Sequence, residues 1–290
     1  MKNDVLTRDG LWKLIKSTEY RHALDLPEEV TEEYEDLAQG EYNRNYFFIH
    51  PKTKKRLVLR VNYGSQMKLE KQISYEYHAL CLLEASGRTP KVYYVDDTRK
   101  YLNKGVLVME YLSGESLIYE KDSKIAMEIL ADIHSIRLKE DCGLICPKDP
   151  LKAMLEECGE MFAVYENSAL AETDVSRRIR AGLDRAWRQL PEKAEYPVYR
   201  CIVNTEVNST NFLINGEENE NYLIDWEKPI FGDPAQDIGH FLAPTTTFWK
   251  SDVIFTWERI EELTGYYMKC VANRFDTRGL KERILTLGFG

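Results

Sequence analysis

The hydrophobic pattern of this 290-residue chain is mainly strand-like in its first third and mainly helical after it, and that division limits the folds open to it. Between 34 and 112 short apolar runs stand at strand length, at 46–49, 56–61, 92–95 and 105–109. A single helical pattern interrupts them at 68–85, where Leu69, Ile73, Tyr77, Leu80 and Leu83 recur at helical spacing. After Ser113-Gly114 the chain turns helical: 124–136 carries Ile125, Ala126, Ile129, Leu130 and Ile133 on one stripe, and 151–165 and 175–190 follow suit. One short hairpin breaks this half, and helices resume from 235 to the end. An amphipathic helix is also expected at 4–24, ahead of Pro27 and an acidic run through Asp36 that reads as a solvated face. The expected fold is α+β in two lobes, a strand-rich one over 1–112 and a mainly helical one over 113–290. Ligands favour the cleft such lobes enclose.

An apolar fraction of 43% and five tryptophans are enough for a sizeable core. The net charge of -9 offers no basic field to nucleic acid or to anionic lipid. The first twenty residues hold no apolar core of signal-peptide length, and 106–109 is far too short to span a bilayer. Six scattered cysteines complete no zinc pattern and read as reduced thiols, so the expectation is a cytoplasmic protein with neither nucleic-acid nor membrane partners.

The hairpin at 212–224 carries the first chemical signal. Phe212-Leu213-Ile214 and Tyr222-Leu223-Ile224 flank the turn-rich segment 215–221. Pairing Phe212 with Ile224 makes Asn211 and Asp225 the next antiparallel pair, about 5 Å apart at Cα. Two oxygen-bearing side chains leaving one end of a hairpin suit Mg²⁺, which takes one or two protein oxygens and completes its shell with water and phosphate. Polar ends on a surface hairpin are the plainer alternative. Glu206 stands five residues before Asn211.

Arg60 is the second signal. Strand alternation puts Leu57, Leu59 and Val61 on one face and Val58 with Arg60 on the other, so Arg60 beside an apolar neighbour calls for an anionic partner. Glu76 on the following helix is the best placed. Such a pair can hold a cation beside nucleotide phosphates; an arginine at a solvated sheet edge is the alternative. Upstream, 37–46 places Gly40 among polar residues between two strands, either a loop presenting backbone N–H groups to phosphate or a plain turn. Asp233 followed by Pro234 marks a helix start, with Asp as N-cap and Pro at the first helical position. His134 and His240 lie in apolar helical contexts and read as packed histidines. Glu156, Glu157, Glu160 and Glu166 read as a solvated helix face.

Over 37–242 the order of these features resembles the aminoglycoside phosphotransferase and choline kinase-like family, which shares the protein kinase-like fold. The family reads roughly H-G-D-x-x-x-x-N, a hairpin, I-D-[WF]-E and G-D-P-x-x-D. Here I-D-W-E stands at 224–227 and G-D-P-A-Q-D at 232–237, with Asn211 at the matching distance. The resemblance implies ATP and Mg²⁺ as cofactors and a small-molecule hydroxyl as acceptor. It implies that Gly40 and Asn43 belong to a phosphate loop, that Arg60 steadied by Glu76 meets phosphates, and that backbone groups of Glu110 and Leu112 meet adenine. It further implies that Asn211 and Asp225 hold Mg²⁺ and that Asp233 and Asp237 brace the catalytic loop, while L-A-D-I-H-S at 130–135 matches the helix before that loop.

One departure stands out. The family's catalytic aspartate falls on Glu206 and its histidine on Asn204. Asp and Glu have nearly the same solution pKa, so reach is the issue: one methylene moves the carboxylate by about 1.5 Å, a misplacement able to slow turnover on the order of a hundredfold. Three functions remain open at this point. Glu206 orients or deprotonates a hydroxyl in a phosphotransferase; its change marks a nucleotide-binding pseudokinase; or the fold transfers a nucleotidyl group.

Overall fold

A computed structural model describes residues 10–188, 190 and 198–289. The chain divides into two compact units, one holding residues up to Glu115 together with Leu213–Lys228, the other Ser116–Phe212 and residues from Pro229 on.

The first unit is built on a five-stranded antiparallel sheet in the order β1 (Glu35–Gln39), β2 (Asn43–Ile49), β3 (Arg56–Asn62), β5 (Gly105–Glu110), β4 (Val92–Asp96). The central strand β3 is buried on both faces beyond Arg56, and its alternation sorts them. Leu57, Leu59 and Val61 join Tyr46, Phe48, Val106 and Val108 in a core closed by Leu11, Leu14, Ile15, Tyr20 and Leu24 from the N-terminal segment. That segment is two helical pieces, because Ser17 ends one and starts the next. Its hydroxyl donates to Leu14 O at 2.7 Å and accepts from Tyr20 N at 3.3 Å, capping α1 (Thr18–Ala23). The part of the expected 4–24 helix before residue 10 lies outside the described residues.

On the other face α2 (Gln72–Leu83) packs against β4 and β5 through Ile73, Glu76, Ala79, Leu80 and Leu83. Gly105 permits that approach, since a Cβ there would sit 2.4 Å from Ile73 Cγ2. The acidic run is not wholly solvated. Glu32 is buried against Arg21 at 2.9 Å, and the chain after Tyr34 forms the exposed edge strand β1. Past the short strand β6 (Glu115–Ser116) the chain enters the second unit.

There α3 (Tyr119–His134) is central, burying Ile125, Ala126, Ile129, Leu130 and Ile133. It packs against α8 (Trp257–Val271), while α4 (Pro150–Glu166) packs against α5 (Thr173–Arg188). Strand β7 (Cys201–Val203) pairs antiparallel with β10 (Ile230–Gly232). Helix α6 (Ala235–Leu242), followed by α7 (Pro244–Lys250), packs on α9 (Leu280–Phe289). Between β7 and β10 runs the hairpin of β8 (Phe212–Ile214) and β9 (Tyr222–Leu223), which clusters with the first unit from Leu213 on.

Candidate active site

In the first unit a cavity of about 270 Å³ is lined by Val58, Leu80, Pro90 and Met109, by Glu110 to Gly114, and by Arg60, Glu76, Ile224 and Asp225. It therefore brings together Arg60, Glu76, Glu110, Leu112 and Asp225. Gly40 and Asn43 do not line it. Gly40 N donates to Asn43 O at 2.8 Å and closes a tight hairpin between β1 and β2. The Asn43 amide accepts from Asn62 Nδ2 at 2.9 Å and donates to Glu227.

The Arg60 guanidinium is held on three sides. Nη1 lies 2.5 Å from Glu76 Oε1 and 3.5 Å from Asp225 Oδ1, and Nε donates to Asn45 Oδ1 at 3.1 Å. Asn45 is the cross-strand partner of Arg60 in the β2–β3 register. Glu76 is 1% exposed, and its Oε2 is buried with no hydrogen-bond partner among the described residues. Burial raises its carboxyl from 4.5 to about 6, although Arg60 pulls the other way.

Backbone direction shapes the far end of the cavity. Tyr111 N donates to Arg56 O at 3.0 Å, whereas Glu110 N donates away from β3 to Lys91 O at 2.7 Å. Alternation along an extended chain turns Glu110 C=O and Leu112 N–H to that same edge. The neighbouring strand supplies no N–H at Pro90. A donor and an acceptor two residues apart thus border an apolar slot.

Asp225 has φ of 63°, in the left-handed region, and is followed by Trp226, 1% exposed, whose Nε1 donates to Leu223 O at 3.0 Å. Glu227 fastens the next step. Its carboxylate accepts from Asn43, and its C=O accepts from Gln72 Nε2 at 2.6 Å, so the segment after Asp225 is tied to both the β2–β3 hairpin and α2. The expected strand pairing of Asn211 with Asp225 is not formed. Asn211 closes a 3-10 turn over Ser209–Asn211, and Asp225 lies beyond the end of β9. Local side-chain hydrogen bonds, from Asn208 above all, outcompete the ladder there.

In the second unit the segment after β7 is organised by Asp237, 0% exposed. Its Oδ2 accepts from Asn204 N at 2.8 Å and its Oδ1 from Thr205 N at 2.8 Å. Thr205 has φ of 70°, a conformation a β-branched residue adopts only under constraint. Asn204 Oδ1 then accepts from Glu206 N at 3.1 Å. Glu206 O accepts from Asn208 N at 2.9 Å, Asn208 Nδ2 at 3.1 Å and Asn211 Nδ2 at 2.9 Å. The last bond orients the Asn211 amide through its Nδ2. Ser209 N donates to Tyr119 Oη at 3.0 Å, anchoring the turn to α3.

Asp233 caps α6 reciprocally: its Oδ1 accepts from Ala235 N at 2.9 Å while Gln236 Oε1 accepts from Asp233 N at 3.0 Å. Arg283 Nε of α9 donates to Asp233 Oδ2 at 2.5 Å. The sequence pointed to Asp233 and Asp237 but gave no sign of Thr205, Tyr119 or Glu227 as organising residues. A glycine in the corresponding place of the family pattern was the one hint at Thr205.

Residues 33–266 match the family model described as the phosphotransferase enzyme family. Among solved structures, choline kinase of Cryptosporidium parvum Iowa II aligns with a TM-score of 0.67 at 11% identity, covering 99% of this chain and 86% of that one. Ethanolamine kinase of Plasmodium vivax aligns with a TM-score of 0.62 at 16% identity, over 93% of this chain and 76% of that one. A spectinomycin phosphotransferase in complex with ADP and spectinomycin aligns with a TM-score of 0.56 at 12% identity, over 89% and 79%. The fold is protein kinase-like, with its antiparallel sheet in the N-terminal part and its helices in the C-terminal part. Among the described residues no helix is long and apolar enough to cross a membrane.

Proposed function

The chain belongs to the phosphotransferase enzyme family, and on that premise we propose that it transfers the γ-phosphate of ATP, with Mg²⁺, to a hydroxyl of a small molecule. The acceptor classes are aminoglycosides, choline-type alcohols, sugars and nucleosides. The observation that carries the reading is the buried Arg60–Glu76 pair beside Asp225 in an apolar cavity that ends on the Glu110–Leu112 edge. Adenine offers the complementary donor and acceptor to Glu110 C=O and Leu112 N–H. Arg60, held by Glu76, then faces phosphate as a fixed cation, so transition-state charge is met without reorganisation at the moment of transfer.

Asp225 and Asn211 are the metal ligands in this reading. A carboxylate and an amide oxygen are the hard donors Mg²⁺ prefers. Bound there, Mg²⁺ would neutralise charge on the β- and γ-phosphates. Glu206 receives the acceptor hydroxyl's hydrogen bond and takes its proton late in transfer. Asn204 fixes the Glu206 backbone, the orienting role its side chain already plays. None of the six cysteines is paired in a disulfide, which suits work in the cytoplasm.

Incubation of the purified protein with γ-labelled ATP, Mg²⁺ and a panel of the four acceptor classes tests the proposal. Label moving to an acceptor is the expected result. Glu206→Gln should then lower turnover on the order of 10²–10³-fold while nucleotide affinity stays within about twofold. Mg-ATP binding without transfer to any acceptor would instead favour a binding module, and transfer of an α-label would identify nucleotidyl transfer.

A further inference from the structure

Three fully buried polar side chains lie in a line behind Thr205. His134 Nδ1 is 2.7 Å from Tyr267 Oη, and His134 Nε2 is 3.2 Å from Asp237 Oδ2. Tyr267, His134 and Asp237 are each 0% exposed. The Asp237 carboxylate accepts from two backbone N–H groups of the catalytic loop. The chain of contacts therefore runs from α8 through the end of α3 to the segment that carries Glu206.

With the imidazole neutral, proton placement along this line has one consistent solution. Asp237 is an acceptor at both oxygens, so His134 must present N–H at Nε2; a bare nitrogen there would set two acceptors against each other in a fully buried site. With the proton on Nε2, neutral His134 has a lone pair at Nδ1, and Tyr267 Oη–H is the donor that fills it. Burial keeps the Tyr267 hydroxyl protonated, raising it well above its ordinary value. Asp237 thus selects the tautomer, and the Tyr267 hydroxyl satisfies the nitrogen that this tautomer leaves bare, holding the ring in place to donate to Asp237.

We propose that Tyr267 is a positioning residue of the phosphotransfer reaction, acting through His134 and Asp237 to hold the Asn204–Glu206 backbone in its left-handed turn. The proposal rests on the proposed function for its kinetic part and stands apart from it for its structural part. Tyr267→Phe keeps the ring, which meets the His134 ring edge-on at 5.9 Å, and removes the donor alone. The buried imidazole nitrogen Nδ1 is then left without a donor, the ring is no longer fastened to α8, and the loop bearing Glu206 loosens.

The test uses ¹⁵N-histidine-labelled protein, with the His134 signal assigned as the one missing from His134→Gln. Wild type should show a neutral ring protonated at Nε2, with protected Asn204 and Thr205 amides in hydrogen exchange. Tyr267→Phe should show an Nδ1 signal shifted by loss of its hydrogen bond and faster exchange at those two amides. Its kcat should fall roughly ten- to a hundredfold while nucleotide KM stays within about twofold, the pattern of a displaced catalytic group. A wild-type ring protonated at Nδ1, or at both nitrogens, overturns the proposal, as does Tyr267→Phe with an unchanged Nδ1 signal, exchange and kcat. If Tyr267→Phe does not fold, the wild-type spectrum and exchange decide alone. If no acceptor is ever phosphorylated, the spectrum and the two amides still decide the structural part, so its failure is distinct from failure of the proposed function.

Discussion

Thr205 carries a conformation that its side chain opposes. At φ of 70° its Cβ crowds the backbone, and the two amide bonds to Asp237 hold it there. The left-handed conformation costs a non-glycine residue about 1–2 kcal/mol. Replacing the residue by glycine relieves that strain and adds about 0.5–1 kcal/mol of chain entropy to be lost on folding. The strain is the larger effect, so Thr205→Gly should raise stability by about 0.5–1 kcal/mol, read as a higher urea midpoint at an unchanged slope. A lower midpoint would show that contacts of the threonine side chain outweigh the backbone strain. Glu206 itself should be less affected, because its C=O is held by three donors that do not involve Thr205.

At the scale of elements, the helix that carries Asp237 is held by the C-terminal helix. A Cβ on Gly239 of α6 would lie 2.9 Å from Gly288 N and 3.0 Å from Ile284 O, and a Cβ on Gly288 would lie 2.8 Å from Gly239 O. The atoms met are backbone, which cannot swing aside, so either alanine must push α6 and α9 apart. Gly239→Ala or Gly288→Ala alone should destabilise by about 1–3 kcal/mol, the usual range for overpacking. Because both act on one contact, the double variant should lose clearly less than the sum, and strict additivity in thermal unfolding would refute the shared contact. Elements of this kind were legible where apolar runs were long. The strands at 46–49 and 105–109 and the helices at 151–165 and 175–190 lie within a few residues of their expected limits. The edge strand β1 was not legible as an alternating strand, since all five of its residues are exposed, and β7 and β10 have only three residues each. The expected first helix broke at Ser17 because a hydroxyl bonding to both sides outweighs continued amphipathic spacing.

Across the whole molecule, what could be read of the candidate site followed sequence separation. Arg60 and Glu76 are 16 residues apart on neighbouring elements, and alternation plus charge was enough to pair them. Asp237 and Asn204 are 33 apart and were brought together only by the family pattern, while His134 and Tyr267, 133 apart, and Asn43 and Glu227, 184 apart, depend on tertiary geometry that no local pattern encodes. The buried pair also leaves a mark on global stability. Burial lifts Glu76 from 4.5 to about 6, despite Arg60, so the folded protein holds that proton more tightly than the unfolded chain. A raised carboxyl contributes stability that is full below its unfolded value and is lost as pH rises through its folded one. The window here is 4.5 to about 6, and the loss is about 2 kcal/mol. Other carboxylates act in the opposite sense: burial raises the Glu32 carboxyl, but Arg21, a backbone N–H and Tyr34 together lower it, so it contributes stability that is lost in acid. The two effects separate in the difference between wild type and Glu76→Gln, where every other group cancels. That difference, measured by urea unfolding without nucleotide, should shift against wild type by about 2 kcal/mol between pH 4 and 7. A difference that is flat, or that shifts toward wild type as pH rises, would mean that the Arg60 charge outweighs burial at Glu76 and that the carboxylate rests there without strain.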